Sequence, residues 1–396
     1  MINADTIFKY YLNFINSKSF LRYYKVVRSY KKVAASYLNE SKCRRFAYFN
    51  LKGAIWHYDS GRYTYLLIKS FHLSGFPVFI HQNYGLLSRL IKYKSLLLKI
   101  PFKIVKSFWS WPTSRNRNTI LIKTEGQTKK IHLCFQNSQQ QNNGLVISMP
   151  YLMHPMMYAE GYASHVKELR NKKALFRVMF AGNTQKKEYS RAALREKFNK
   201  TNRFEAIEYL KNNLGKQHQE TITDISNLLA SPNYTNKLLF VHSSSLKIPF
   251  KYWLPVMANT DFFLACSGSR MPMCHNVIEA MAVGSIPVLE YPEYFHPPLQ
   301  NGYNCITYQG KQDLKKTVES LFKMSPEEIN ELKKNAISYY EAYLEPKKWV
   351  NNLIEMPGEE IILQVDAHLK PHKKEIPTNV YISEDSIPNL TNQKSL

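Results

Sequence analysis

In the stretch "CHNVIEAMAVGSIPVL" (274–289) one acid, Glu279, stands among apolar residues. A carboxylate buried without a partner is costly, so Glu279 must accept hydrogen bonds or face a ligand. Two adjacent hydroxyls of a ribose would satisfy both of its oxygens, and so would the N–H groups of a backbone turn. The preceding loop, "CSGSRMPMCHN" (266–276), leaves a strand and enters a helix. The open N–H groups of that helix's first turn and the positive end of its dipole attract phosphate. Arg270 adds a forked cation there, and Ser267, Ser269 and Asn276 add small polar donors. No P-loop pattern occurs, and no G-x-G-x-x-G follows a strand, which speaks against lysine-route ATP hydrolysis and against nicotinamide or flavin chemistry.

These residues need strands and helices to hold them. "FAYFNLKGAIWHY" (46–58) holds one or two strand-like runs, "DSGRY" (59–63) a glycine turn, "YTYLLIKSFHLSG" (63–75) an apolar helix and "FPVFIH" (76–81) a second strand. Together they form a β-α-β unit. "TILIKT" (119–124) and "KKIHLCF" (129–135) make a hairpin, "NSQQQNNG" (137–144) a polar loop and "GLVISMPY" (144–151) the last strand of that half. A second cycle follows: strand 174–184, helix 190–200 capped by Ser190, strand 237–243, helix 249–260, strand 261–268, then the Glu279 helix and strand 285–291. Strands alternating twice with short helices predict an α/β protein of two doubly wound, Rossmann-like domains facing a cleft. Ligands of such sheets sit beyond the carboxyl ends of the strands, which singles out the loops 59–63, 182–187 and 267–276.

A chain of 396 residues, 44% apolar and 13% aromatic, can bury cores of this size. Five scattered cysteines (43, 134, 266, 274, 305) form no C-x-x-C pair, which argues against a disulfide framework and a zinc site. No apolar run is long enough to span a bilayer, and "MINADTIFKY" lacks the start of a signal peptide, so a cytoplasmic protein is expected. The net charge of +24 is one-sided: residues 1–150 carry 24 Lys and Arg against 4 Asp and Glu. That field implies an anionic partner. The segment 6–38 mixes Phe, Tyr, Leu, Ile and Val with Lys and Arg, as in basic amphipathic helices that either lie on an anionic membrane or pack on their own domain. Nucleic acid has only the charge behind it, because no RNA-binding aromatic signature, zinc-finger spacing or basic zipper is present.

"HNVIEAMAVGSIPVLEYPEYFHPPL" (275–299) resembles the donor-binding helix and strand of GT-B glycosyltransferases, and 180–198 with 266–288 is most similar to their exostosin-like branch. The resemblance covers roughly residues 174–345. It implies transfer of a sugar from a nucleotide-diphosphate donor to a glycan acceptor, as in bacterial surface polysaccharide synthesis. It puts Glu279 on the donor ribose and Gly182, Asn183, Lys187, Ser267, Arg270, His275 and Asn276 around the donor, with Lys186 beside them. The acid that retaining enzymes carry eight positions earlier is replaced by Met271, which leans toward an inverting reaction. Its base would come from the first domain: Asp59 is the candidate, with His57, His81 and His154 behind it, although an aspartate in a turn is also an ordinary cap. Arg62 and Tyr63 fall on the acceptor side. Because no D-x-D occurs, neither metal nor other cofactor is expected.

The expected organisation is basic helices in 1–45, an acceptor-side domain in 46–165, a donor-binding domain in 166–345, a returning segment in 346–370 and a loose tail in 371–396. The expected partners are a nucleotide-sugar, an anionic or lipid-linked glycan and the inner face of the cell membrane. The competing classes are a non-catalytic nucleotide or carbohydrate binder on the same fold and a basic nucleic-acid binder.

Overall fold

A computed structural model describes residues 18–34, 38, 42–51, 55–88, 90–105, 118–134, 145–190, 193–229, 234–269 and 271–365. The beginning of the basic segment, the loop 137–144, Arg270 and the tail 371–396 lie outside the described residues.

The chain is mixed α/β, with two sheets. The first contains β1 (Phe46–Asn50), β2 (Val78–His81), β3 (Lys103–Val105), β4 (Thr119–Lys123), β5 (Thr128–Cys134) and β6 (Leu145–Ser148). The second contains β7 (Phe176–Gly182), β8 (Gln219–Thr221), β9 (Tyr234–His242), β10 (Thr260–Leu264), β11 (Ile286–Leu289) and β12 (Ile306–Thr307). The final strand, β13 (Glu360–Gln364), returns to the first sheet and lies between β5 and β6, parallel to both. The longer helices are α1 (Lys18–Val33), α2 (Arg62–Leu73), α3 (Arg203–Asn213), α4 (Phe250–Ala258), α5 (His275–Val283), α6 (Gly310–Leu321), α7 (Pro326–Tyr339) and α8 (Pro346–Glu355).

Sheet two is parallel throughout, in the order β12-β11-β10-β7-β9-β8. Read from β8 and numbered from β7, the order is 2-3-1-4-5-6, which differs from the dinucleotide-fold order 3-2-1-4-5-6 by exchange of the two strands on that edge. The switch point, where the chain reverses its direction across the sheet, lies between β7 and β10. Helices cover both faces of these strands, so β10 and β11 are almost continuously apolar and buried. The first sheet, β3-β2-β1-β4-β5-β13-β6, departs from the expected doubly wound pattern, because β4 runs antiparallel to both β1 and β5. The β4–β5 hairpin reverses the chain without a crossover helix, and that fixes the antiparallel pair.

Several local expectations are corrected. Residues 55–58 are not a strand: Ile55–Gly61 is a 3-10 segment followed by left-handed residues. Its Trp56 is completely buried, so the apolar character of this stretch serves the core and not a ladder. The helix expected over 190–200 is described over Ala193–Phe198, and Ser190 belongs to the turn before it. Ser190 ends the turn Lys186–Tyr189, its hydroxyl donating to the Lys186 carbonyl at 2.6 Å. The returning segment contributes a strand, β13, as well as a helix. Ser325 and Glu328 form a reciprocal capping box at the start of α7.

Two glycines hold the chain where a side chain would not fit. Gly61 (φ 81°) opens α2, and an added Cβ would stand 2.8 Å from the Lys94 backbone nitrogen. Gly284 (φ 82°) ends α5 and turns the chain into β11. The last helix is fastened by a lysine from the first sheet. The buried Lys129 ammonium on β5 donates to the carbonyls of Ile354 (2.6 Å), Leu353 (3.4 Å) and Met356, at the negative end of α8. One connected apolar cluster runs from α2 and β1 through residues 149–158 to α5, α7 and α8.

Candidate functional site

A cleft of about 840 Å³ opens between the sheets. Its second-sheet wall is built at the switch point, from Ala181, Gly182 and Asn183 at the end of β7, Val241 and Ser243 around the end of β9, and Gly268, Ser269, Met271, Met273 and Cys274 after β10. Its opposite wall carries Tyr58, Asp59, Tyr63, Tyr151, His154 and Met157. α5 begins in the cleft behind Cys274, which gives no side-chain cap, so the N–H groups of its first turn remain without a side-chain partner.

The floor of the switch point is Arg203, at the start of α3 and 5% exposed. Its guanidinium ties together the two loops that flank the crevice. Nε donates to Ser267 O at 3.1 Å, Nη1 to Asn183 O at 3.3 Å, and Nη2 to Cys266 O at 3.3 Å and to Cys274 Sγ at 3.7 Å. The group also lies over the Tyr189 ring, 4.4 Å from its centre. None of these partners is a carboxylate. A buried cation held without a carboxylate leaves a positive field in the cleft.

Glu279 lies on the cleft-facing side of α5 and is fully buried. Oε1 accepts the His154 backbone N–H at 2.8 Å, and Oε2 accepts the Trp253 indole N–H at 2.6 Å. Glu279 therefore joins α5 to α4 and to the chain that leaves the first sheet. Burial pushes its carboxyl up to about 7, against the lowering effect of those two donors and of the Arg62 charge.

His154 caps the turn Pro155–Ala159, its Nδ1 accepting the Met156 N–H at 3.2 Å, and its Nε2 bonds the Tyr93 hydroxyl at 3.0 Å. Accepting at Nδ1 puts the ring proton on Nε2. Burial, with Arg62 and Lys92 nearby, lowers this imidazole to about 3. Phe250 stacks on it at 4.9 Å, and the His275 ring stands edge-on at 5.2 Å. Burial, reinforced by Arg62, His154, Arg203 and Lys92, keeps His275 well below the usual histidine range and hence neutral.

Across from this group, Asp59 (φ 41°), Ser60 (φ 56°) and Gly61 (φ 81°) form three successive left-handed residues, with Asp59 exposed at the cleft. Left-handed backbone in residues other than glycine costs roughly 1–2 kcal/mol each and persists where the surroundings hold it. Arg62 is 8% exposed and lies 4.6 Å above the centre of the Tyr151 ring, behind the cleft wall. Its Nε and Nη2 have no hydrogen-bond partner.

Of the residues singled out from the sequence, Asp59, Tyr63, Gly182, Asn183, His275, Asn276 and Glu279 line this one cleft. Asn183 is committed to its own turn, accepting the Gln185 N–H at 2.9 Å and donating to Glu188 at 3.0 Å. Asn276 donates to Ala181 O at 3.4 Å. Ser267 is fully buried behind the wall, offering its carbonyl to Arg203. Lys186 and Lys187 are exposed on the turn Lys186–Tyr189, outside the lining. His57 pairs with Ser88 at 3.1 Å and His81 with Tyr48 at 2.9 Å, both away from the cleft. Sequence reasoning passed over Arg203, Trp253 and Phe250. The one local signal for Arg203 is Asn202, an N-cap whose side chain accepts the Glu205 N–H at 2.9 Å. Among the described residues no three His, Cys, Asp or Glu side chains gather as a metal-ligand set, and no helix is long and apolar enough to cross a membrane.

The chain matches no protein-family model, and no curated protein matches it. Several solved structures are distantly similar, two of which serve as examples. The Candida albicans trehalose-6-phosphate phosphatase N-terminal domain shares 11% identity over 73% of this chain and 74% of its own, with a TM-score of 0.31. Anabaena HepE in complex with UDP shares 10% identity over 74% of this chain and 77% of its own, with a TM-score of 0.30. At these scores neither likeness carries weight for fold or function.

Proposed function

We propose that the protein is a GT-B-type glycosyltransferase that moves a sugar from a nucleoside-diphosphate donor to a glycan acceptor with inversion. The observation that carries the proposal is Arg203, a buried cation with no carboxylate partner among the described residues, set in the switch-point crevice beside the first turn of α5, whose N-cap residue gives no side-chain hydrogen bond. That pairing of fixed cation and helix dipole suits the charge developing on a departing diphosphate. The cleft volume lies within the usual 300–1,000 Å³ of small-molecule sites.

In this reading Glu279 holds the donor. Each of its oxygens already accepts one protein N–H and keeps a second lone pair, and because Glu279 has no exposed surface, two vicinal hydroxyls of a ribose donate to it after the cleft wall shifts to admit them. Asp59 takes the acceptor hydroxyl's proton as that oxygen bonds to the anomeric carbon. The bond from that carbon to the diphosphate oxygen breaks on the opposite face, and its electron pair leaves with the nucleotide. His154 does not serve as this base, because its one acceptor nitrogen is committed to the Met156 N–H.

The test is a thermal-shift panel of UDP, GDP, CMP and TDP, followed by mass spectrometry of products from the matching nucleotide-sugars. One nucleotide should raise the melting temperature, Glu279→Ala should remove that rise, and transfer should persist in EDTA. Absence of a shift with every nucleotide refutes the proposal. A shift and transfer that both survive in Asp59→Asn would remove Asp59 from its role.

A further inference from the structure

The outer face of α1 belongs to no feature of the cleft, yet it has a consistent chemistry. α1 is anchored on its inner side: Val26 is buried, the Tyr30 ring stacks on Phe102 at 5.3 Å, and the Tyr30 hydroxyl accepts the Ile104 N–H at 2.9 Å. At 100° per residue, Arg28 points directly away from that anchored side, flanked by Tyr24, Lys25, Lys31 and Lys32. All five of these residues are exposed. No acid occurs anywhere in α1, and none of these four cations has an ion-pair partner among the described residues.

Apolar groups accompany the charge. Tyr24 is 56% exposed and Val33 37%, so α1 carries two of the five large hydrophobic residues that are exposed among the described ones. Val33 falls on the anchored side of the helix at its end, while Tyr24 stands within the cationic face, and an aromatic ring among four lysine and arginine heads adds interfacial burial to attraction by anionic lipid. Duplex DNA and RNA reward the cations equally but gain nothing from the exposed Tyr24 ring comparable to its burial at a lipid interface.

The position of the helix supplies a reason for the contact. α1 packs on the helical turn Lys94–Lys99, whose first residue follows Tyr93, and the Tyr93 hydroxyl bonds His154 in the cleft wall. The helix is thus connected to the cleft wall through the turn Lys94–Lys99 and Tyr93.

We propose that the outer face of α1 is a docking surface for an anionic lipid bilayer, and that it brings the cleft to a membrane-held acceptor. The bilayer contact is independent of the transferase reading; only the acceptor clause rests on it. The test is co-sedimentation of the full chain with vesicles of phosphatidylcholine alone and of phosphatidylcholine mixed with phosphatidylglycerol. Binding should require the anionic lipid and weaken as salt rises. The quadruple variant K25Q/R28Q/K31Q/K32Q should lose roughly tenfold or more in affinity, since each charge contributes to attraction near the surface. Tyr24→Ser should weaken binding without removing its salt dependence. All of these positions are exposed, and circular dichroism with the wild-type nucleotide shift will verify that the variants fold. Equal binding to both vesicles, unchanged binding by the quadruple variant, or tighter binding of a random DNA duplex than of anionic vesicles at the same salt would each overturn the proposal. Because the vesicle measurement uses no nucleotide, its failure leaves the transferase reading untouched.

Discussion

Glu279 and His154 share a hydrogen bond but titrate in opposite senses. The Glu279 carboxyl is raised to about 7 in the fold, from an ordinary value of 4.5. Across that window the folded chain holds a proton that the unfolded chain has lost, so this group lowers stability as pH rises. His154 is lowered to about 3 from 6.5, so between those values the unfolded chain binds a proton that the folded chain refuses, and stability rises with pH. Glu279→Gln should therefore make stability climb more steeply with pH between 4.5 and 6.5 than it does in the wild type, measured by urea unfolding across that range. The amide also turns one acceptor into a donor against either the His154 or the Trp253 N–H, which should cost about 1–3 kcal/mol. At Asp59 the conflict is between backbone and chemistry. Glycine at this left-handed position should raise stability by up to about 1 kcal/mol while abolishing transfer. Arg203→Lys keeps the charge but loses the fork that spans the two loops, so the nucleotide-induced shift should fall sharply.

At the scale of elements, two end contacts determine how the carboxyl-terminal helices sit. Ser325 and Glu328 close a capping box on α7, and Ser325→Ala should cost about 1 kcal/mol without affecting nucleotide binding. Lys129 has a different task, since it satisfies three carbonyls at the end of α8 from within the first sheet. Lys129→Met leaves those acceptors buried and unpaired, with an expected loss of about 2–3 kcal/mol in urea unfolding and faster proteolysis between α8 and β13. Burial lowers the lysine below its usual range, so in that window the unfolded chain binds a proton that the folded chain has released, and this group makes stability rise with pH there.

For the whole molecule, β13 has the largest consequence. It lies inside the first sheet, and only through it does β6 join that sheet. A chain stopped at Met356 would lose an interior strand and expose the edges of β5 and β6, so it should aggregate or unfold without cooperativity, which calorimetry would show. The elements legible in the sequence were those whose hydrophobic period is local. The apolar runs 46–50, 76–81, 176–182 and 260–264 with their glycine stops, and the Glu279 helix, form close to where they were expected. "EEIILQV" escaped notice because it is short and begins with two acids, and it becomes a strand only when β5 and β6 leave a gap between them. Arg203 escaped because an arginine one residue after an N-cap looks like any solvated first turn. Its burial is decided by the crossing of two distant loops. The sequence by itself therefore determined the alternation of strands and helices, the segregation of charge and the acid in the apolar helix, because those properties depend on neighbours along the chain. Only the tertiary structure decided which donors meet Glu279, where Asp59 stands and which cation occupies the switch point. Each of these joins residues far apart in sequence, and no periodic pattern along the chain records such a meeting.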